Sequence, residues 1–189
     1  MKLYFIRHAP TKANLSGSMV NGYECEPITL TKKPKYWESK VGKYIPKEVR
    51  KTIYSSPTTR CYETCRLLFR GKEFTPDLAF SEFDCKGLGD KKFWEVTKEE
   101  FENLVSITPY EMQSRVDEIL NKVKNDCVIV SHGMLIRYIY HYFNGNKNIS
   151  AYDIINSNGF RFSNLDLLVV DTDTMTATPH YFKNPIKHQ

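Results

Sequence analysis

Lys2-Leu3-Tyr4-Phe5-Ile6-Arg7-His8-Ala9-Pro10 is a short apolar run, rich in β-formers, that stops abruptly at a polar cluster. Cys127-Val128-Ile129-Val130-Ser131-His132-Gly133 repeats the pattern far along the chain and leads into the amphipathic stretch Met134 to Phe143. A run that is apolar at consecutive positions, rather than alternating, marks a strand covered on both faces. Two such strand, polar-tip units with helical patterns between them predict an α/β fold, with a mostly parallel central sheet and helices on both faces. In such a sheet the polar tips gather in one crevice beyond the carboxyl ends of the strands.

The remaining segments fit around this frame. Residues 7 to 30 contain Pro10, Gly17, Gly22 and Pro27 and keep neither period for long, which predicts a large connecting loop. A helix pattern over about 31 to 44 is followed by Pro46 and a short strand around Thr52-Ile53-Tyr54. The passage from Ser55 to Gly71 predicts a helix with Ser56 as N-cap, Pro57 at the first helical position and Gly71 as the stop, placing Arg60 in its opening turn. Thr97 with Glu100 and Thr108 with Glu111 have the spacing of capping boxes. After the second, Met112, Val116, Ile119, Leu120 and Val123 form one apolar stripe. Phe160 to Phe162 and Leu165 to Val170 read as late strands, with Asp171-Thr172-Asp173 turning into a final ladder segment. No repeat or linker divides the chain, so residues 1 to 189 are expected to form a single domain with a small cap from about 82 to 125.

Composition narrows the class. A chain of 189 residues with 41% hydrophobic and 26% charged residues has the length and balance of one globular domain, able to bury roughly 70% of its unfolded surface. No segment approaches the roughly 20 apolar residues that span a bilayer, and MKLYFI runs directly into charge and proline, unlike a signal peptide. A cytoplasmic protein without a membrane partner is expected. Five cysteines cannot all pair within the chain, which fits reduced thiols. Cys61 and Cys65 share a helix face but lack a second convergent pair for zinc. The formal charge of +5 is concentrated in residues 32 to 51, which hold eight basic and two acidic residues. That segment reads as a solvated helix and loop whose Trp37, Val41 and Tyr44 face a core, or as a positive field for anionic substrates, with no nucleic acid expected as partner.

The chemistry-bearing residues sit beside element ends: Arg7 and His8 after the first strand, Arg60 in a helix opening, His132 after the later strand. Two histidines and two arginines in one crevice make an anion site, because Arg offers a planar fork of donors matched to phosphate oxygens and His serves as donor, acceptor or nucleophile. His141, His180 and His188 have no partner at ligand-like spacing and read as surface or packing residues.

In these positions the chain resembles the histidine phosphatase superfamily, which includes cofactor-dependent phosphoglycerate mutase. Arg7-His8-Ala9 lies where that family carries Arg-His-Gly, followed by Thr11 and Asn14, and Leu30-Thr31 matches a common Leu-Thr. Ser56-Pro57-Thr58-Thr59-Arg60-Cys61-Tyr62-Glu63-Thr64 is similar to the family's Ser-Pro-Leu-x-Arg-Ala-x-x-Thr block, and Ser131-His132-Gly133 to the block with the second histidine. The departures are Ala9 for Gly, Cys61 for Ala, Pro34 for a frequent Gly, and Cys85 to Gly89 in place of Phe-Gly-x-Trp-Glu-Gly.

The resemblance implies a phosphoglycerate mutase-like three-layer architecture and metal-independent hydrolysis of a small phosphomonoester through a phosphohistidine, with no metal or cofactor. It implies His8 as nucleophile; Arg7, Asn14, Arg60 and His132 as phosphate ligands; and Glu82 as the acid that protonates the leaving group, with Asp84 as a competing acid. Asn158 and Gly159 are expected to face substrate. Mutase-type phosphoryl transfer and noncatalytic phosphate binding are the alternatives; about 50 residues between Glu82 and His132 make a small lid and favour hydrolysis. Oligomeric state is left open.

Overall fold

Leu3 and Phe5 point into one apolar layer and Tyr4 and Ile6 into another, which is why the first strand is apolar at every position. The structure, a computed structural model, describes residues 1–18, 25–84, 95–105, 107–156 and 162–182. Among these, strands β1 (Lys2–Arg7), β2 (Ile53–Ser55), β3 (Thr75–Pro76), β4 (Cys127–Ser131), β5 (Leu167–Asp171) and β6 (Thr176–His180) form one sheet in the order β3-β2-β4-β1-β5-β6. β3, β2, β4 and β1 run parallel; β5 pairs antiparallel with β1 and β6 antiparallel with β5, which completes a mixed sheet.

Among the described residues seven α-helices cover it: α1 (Lys12–Ser16), α2 (Lys35–Lys40), α3 (Thr59–Leu68), α4 (Lys98–Leu104), α5 (Pro109–Lys122), α6 (Gly133–Phe143) and α7 (Ala151–Asn156). On one face Leu3, Phe5 and Ile129 pack with Phe101 of α4, Met112 and Ile119 of α5, Leu135 of α6 and Ile154 of α7. On the other, Tyr4, Ile6 and Val130 pack with Trp37 of α2 and with Cys61, Cys65 and Leu68 of α3. The helices on both faces give the three layers expected. Each buried side chain of this size is worth about 1.5–3 kcal/mol, against about 1 kcal/mol for a typical net hydrogen bond, so these two layers dominate the folding energy.

Several local expectations hold. Both capping boxes form, Thr97 with Glu100 and Thr108 with Glu111, and Asp171 leads through a turn into β6. Others need correction. The stretch 7 to 30 is not all loop: Thr11 caps α1, with its hydroxyl on the Asn14 amide and the Asn14 side chain on its own amide. The helix expected over 31 to 44 is α2 followed by a single 3-10 turn, Val41–Lys43. Helix α3 opens at Thr59, with Thr58 rather than Ser56 in the N-cap position and no side-chain cap bond, and Pro57 precedes the helix; what occupies Ser56 instead lies in the site below. Gly71, at φ +77°, makes the turn after α3 in a conformation that favours glycine. Phe162 lies before β5 in irregular chain, not in a strand of its own; Phe160 and Arg161 are outside the described residues.

The register positions the chemistry. Arg7 pairs with Ser131 and Ser55 with Val130, so His8, His132 and Ser56, each the next residue on its strand, leave the sheet side by side. Because β5 runs antiparallel to β1, with Leu167 opposite Ile6, the chain entering β5 lies at that same edge.

Candidate active site

His8 and His132 meet with ring centroids 5.4 Å apart and planes at 61°. His8 is held by its main chain, whose amide donates to Ser131 O at 2.9 Å, and by its ring, whose Nδ1 lies 2.8 Å from Ala9 O. A carbonyl oxygen only accepts, so this contact assigns the ring proton to Nδ1 and leaves the lone pair on Nε2. Burial first, then the neighbouring Arg7 and Arg60 guanidinium groups, push the His8 ring well below the usual histidine range, which keeps it neutral.

His132 is the N-cap residue of α6 and equally buried; burial and then Arg60 depress it in the same direction. Its Nε2 lies 2.8 Å from Ser56 Oγ, 3.4 Å from Thr58 Oγ1 and 3.5 Å from Cys61 Sγ. Ser56 therefore holds His132 instead of capping α3. A rotatable hydroxyl can donate to Nε2 or accept from it, so His132 is free to present Nδ1–H to an arriving anion. Cys61, where the resembled family has Ala, packs its sulfur against this histidine, and burial pushes its thiol up to about 12.

Arg60 is buried in the first turn of α3 and acts electrostatically on both histidines. Thr64, one turn on, receives the Ala9 amide at 2.8 Å and donates to Arg60 O at 2.6 Å, tying α3 to the loop after His8. Ala9 stands here in a backbone conformation that does not require glycine: its φ is not positive, and its amide is bonded to Thr64. Arg7 donates from one terminal nitrogen to Phe162 O at 2.7 Å, while its buried Nε has no hydrogen-bond partner among the described residues. Burial, then Arg137, lowers its guanidinium to about 10, which remains charged at neutral pH.

Glu82 reaches the amino terminus of α6. Its Oε2 accepts from the Met134 amide at 3.0 Å and its Oε1 from the Leu135 amide at 2.9 Å and from its own neighbour Phe83 at 3.2 Å. His132 makes no side-chain cap on α6, so Glu82 satisfies those first-turn donors from another loop, at the positive end of the helix. Asp84 is exposed. Asn158 and Gly159 lie outside the described residues, as do Cys85 to Gly89 and His188.

Three participants escaped the sequence reading. Arg137, a lone arginine in the apolar stretch of α6, interacts electrostatically with both Glu82 and Arg7. Asn164, just before β5, donates to His8 O at 2.8 Å and to Asn14 Oδ1 at 3.0 Å. Asp166 accepts from the Ser163 and Phe182 amides, and burial raises it to about 6 despite them.

Gly133 opens α6 against Arg7. A Cβ there would stand 3.1 Å from Arg7 Nε and 3.2 Å from its Cζ, closer than ordinary contact. Gly133→Ala should leave the melting temperature unchanged or raised, since Ala suits a helix better, yet displace Arg7 and weaken phosphate affinity by about tenfold, the worth of one charge-assisted hydrogen bond. Calorimetric titration with inorganic phosphate beside a thermal melt checks both halves.

The chain belongs to the histidine phosphatase superfamily, branch 1, whose family model matches residues 3–167. Solved structures share its fold. The TTHB049 protein of Thermus thermophilus superposes with a TM-score of 0.69 at 16% identity, over 97% of this chain and 100% of that one. A phosphoserine phosphatase of Entamoeba histolytica, in complex with 3-phosphoglyceric acid, gives 0.67 at 19% identity over 99% and 98%. YhfR of Bacillus stearothermophilus gives 0.59 at 18% over 99% and 98%. No curated protein sequence matches the chain significantly. The fold is thus phosphoglycerate mutase-like, and among the described residues no helix is long and apolar enough to cross a membrane.

Proposed function

We propose that the protein hydrolyses a small phosphomonoester without a metal ion, through a phosphohistidine at His8. The observation that carries this reading is the His8 ring itself: neutral, with Nδ1–H on Ala9 O, and flanked by two guanidinium groups. In the first half-reaction the Nε2 lone pair forms a bond to phosphorus while the ester P–O bond breaks, and Glu82 gives its proton to the departing oxygen. The Met134 and Leu135 amides then receive the charge left on Glu82. In the second, Glu82 takes a proton from water as the water oxygen attacks phosphorus, the P–N bond breaks and the lone pair returns to Nε2. Arg7, Arg60, Asn14 and His132 surround the phosphoryl oxygens, where fixed donors meet developing charge without reorganising.

This cage provides the positive charge that many phosphatases draw from ions. The structurally similar phosphoserine phosphatase is named for a small acidic ester, which supports a phosphorylated metabolite as the substrate class. The test is inorganic phosphate release from p-nitrophenyl phosphate with and without EDTA. Equal rates are expected; a rate that vanishes with the chelator and returns with a divalent cation overturns the proposal. The same assay on a panel of phosphorylated metabolites then identifies the substrate.

A further inference from the structure

The chain between Phe162 and Asp166 meets the end of β1 repeatedly. Phe162 O receives the Arg7 side chain, Leu165 N donates to Arg7 O at 3.0 Å, and Arg7 N donates to Asp166 O at 3.2 Å. To do so Leu165 adopts φ +66°, a left-handed conformation that a non-glycine residue takes only when its surroundings hold it. At the centre lies Asn164, buried, with both hydrogens of its Nδ2 committed: one to His8 O, the other to Asn14 Oδ1.

The second bond helps to set which way Asn14 points. Asn14 Oδ1 also accepts the Thr11 amide at 3.2 Å. Two donors converge on that atom, so it is the oxygen, and the NH2 group faces the other way. Among the described residues this NH2 meets no protein acceptor. An inverted Asn14 amide would instead present a carbonyl oxygen to the phosphoryl group, turning an attraction into a repulsion.

We propose that Asn164 is a positioning residue of the phosphoryl site: its one amide holds the main chain of the nucleophile His8 and, together with the Thr11 amide, the orientation of the Asn14 amide, so that Asn14 presents NH2 to the phosphoryl group. The inference rests on the phosphatase reading above and extends it to a residue 156 positions from the nucleophile.

The experiment measures affinity for inorganic phosphate by calorimetry, kcat and KM with p-nitrophenyl phosphate, and melting temperature. The proteins are wild type, Asn164→Ala, Asn164→Asp, Asn14→Ala and the Asn14→Ala/Asn164→Ala pair. Asn164→Ala should weaken phosphate binding by about tenfold and raise KM, since a hydrogen bond to a charged group is worth that much or more. In the Asn14→Ala background the same change should cost clearly less, because the orientation it controls is already gone and only its hold on the His8 main chain is left to lose. Asn164→Asp keeps the shape of the side chain but can donate to neither acceptor. It should bind phosphate more weakly than Asn164→Ala, because Asn14 turns its NH2 toward the new carboxylate. It also serves if the alanine variant fails to fold. A purely structural role predicts a lower melting temperature with unchanged phosphate affinity, or an equal loss in both backgrounds, and either result overturns the inference. A wild type that binds no phosphate overturns the phosphatase reading and this inference together. A wild type that binds phosphate no more tightly than both Asn164 variants overturns this inference alone.

Discussion

Replacing His8 with alanine should abolish turnover and the acid-labile phosphoenzyme together, a loss on the order of 10⁴-fold or more, as for other nucleophiles acting as part of a unit. The neighbouring imidazole is no substitute: His132 is 5.4 Å away, centroid to centroid, with Nε2 turned to Ser56. Folding should survive, because His8 is tied to Ser131 and Asn164 through its main chain, which alanine retains. Rapid-quench labelling with a radiolabelled substrate checks the intermediate, and label or rate persisting in His8→Ala would sink the nucleophile assignment. A pH dependence follows from the same burial. Both histidines are depressed in the folded protein, so the unfolded chain binds more protons below its histidine pKa of about 6.5. Their contribution is fully present above that pH and is lost as the pH falls through and below it, so acid should lower the melting temperature. The His8 ring itself should stay unprotonated at pH 6, where a free histidine is mostly charged.

How far the sequence foretold these features depends on the range of the interaction. β1 and β4 were readable because strands covered on both faces are apolar throughout, and that is written in four consecutive residues each. The boxes at Thr97 and Thr108 were readable because both partners lie three residues apart. Helix α1 was missed: it is five residues long, carries no apolar stripe, and depends on Asn14 acting as a capping residue where Glu or Gln is usual. Ser56 illustrates the opposite failure. Ser-Pro-Thr-Thr offers several caps to local reasoning, and what removes Ser56 from the choice is a histidine 76 residues away. Within the site, Arg7, His8, Arg60 and His132 were found through their motifs. Asn164 and Arg137 carry no local mark, since their partners belong to other elements and only the antiparallel return of β5 and the pitch of α6 bring them to this edge.

Glu82→Gln should slow an alkyl phosphate by about 10²- to 10⁴-fold, the range for a positioned general acid, and an aryl phosphate by less than about tenfold, because a phenolate departs without a proton. The structure adds a second expectation. Gln keeps one acceptor oxygen, but its NH2 cannot accept the amide that Glu82 now receives; with Oε2 replaced, the Met134 N–H faces another donor. That conflict at the opening of α6 should cost about 1–3 kcal/mol of stability, read as a lower melting temperature. The two effects separate because the helix opening carries His132 and Gly133 for every substrate alike, whereas the proton matters only to the poor leaving group. Paired leaving-group kinetics on protein kept below its melting transition therefore decide the role. Selective loss with the alkyl ester assigns the acid to Glu82. Equal slowing of both esters means that Glu82 acts by holding α6, and the proton then comes from elsewhere, with exposed Asp84, two residues along the same loop, as the next side chain to replace.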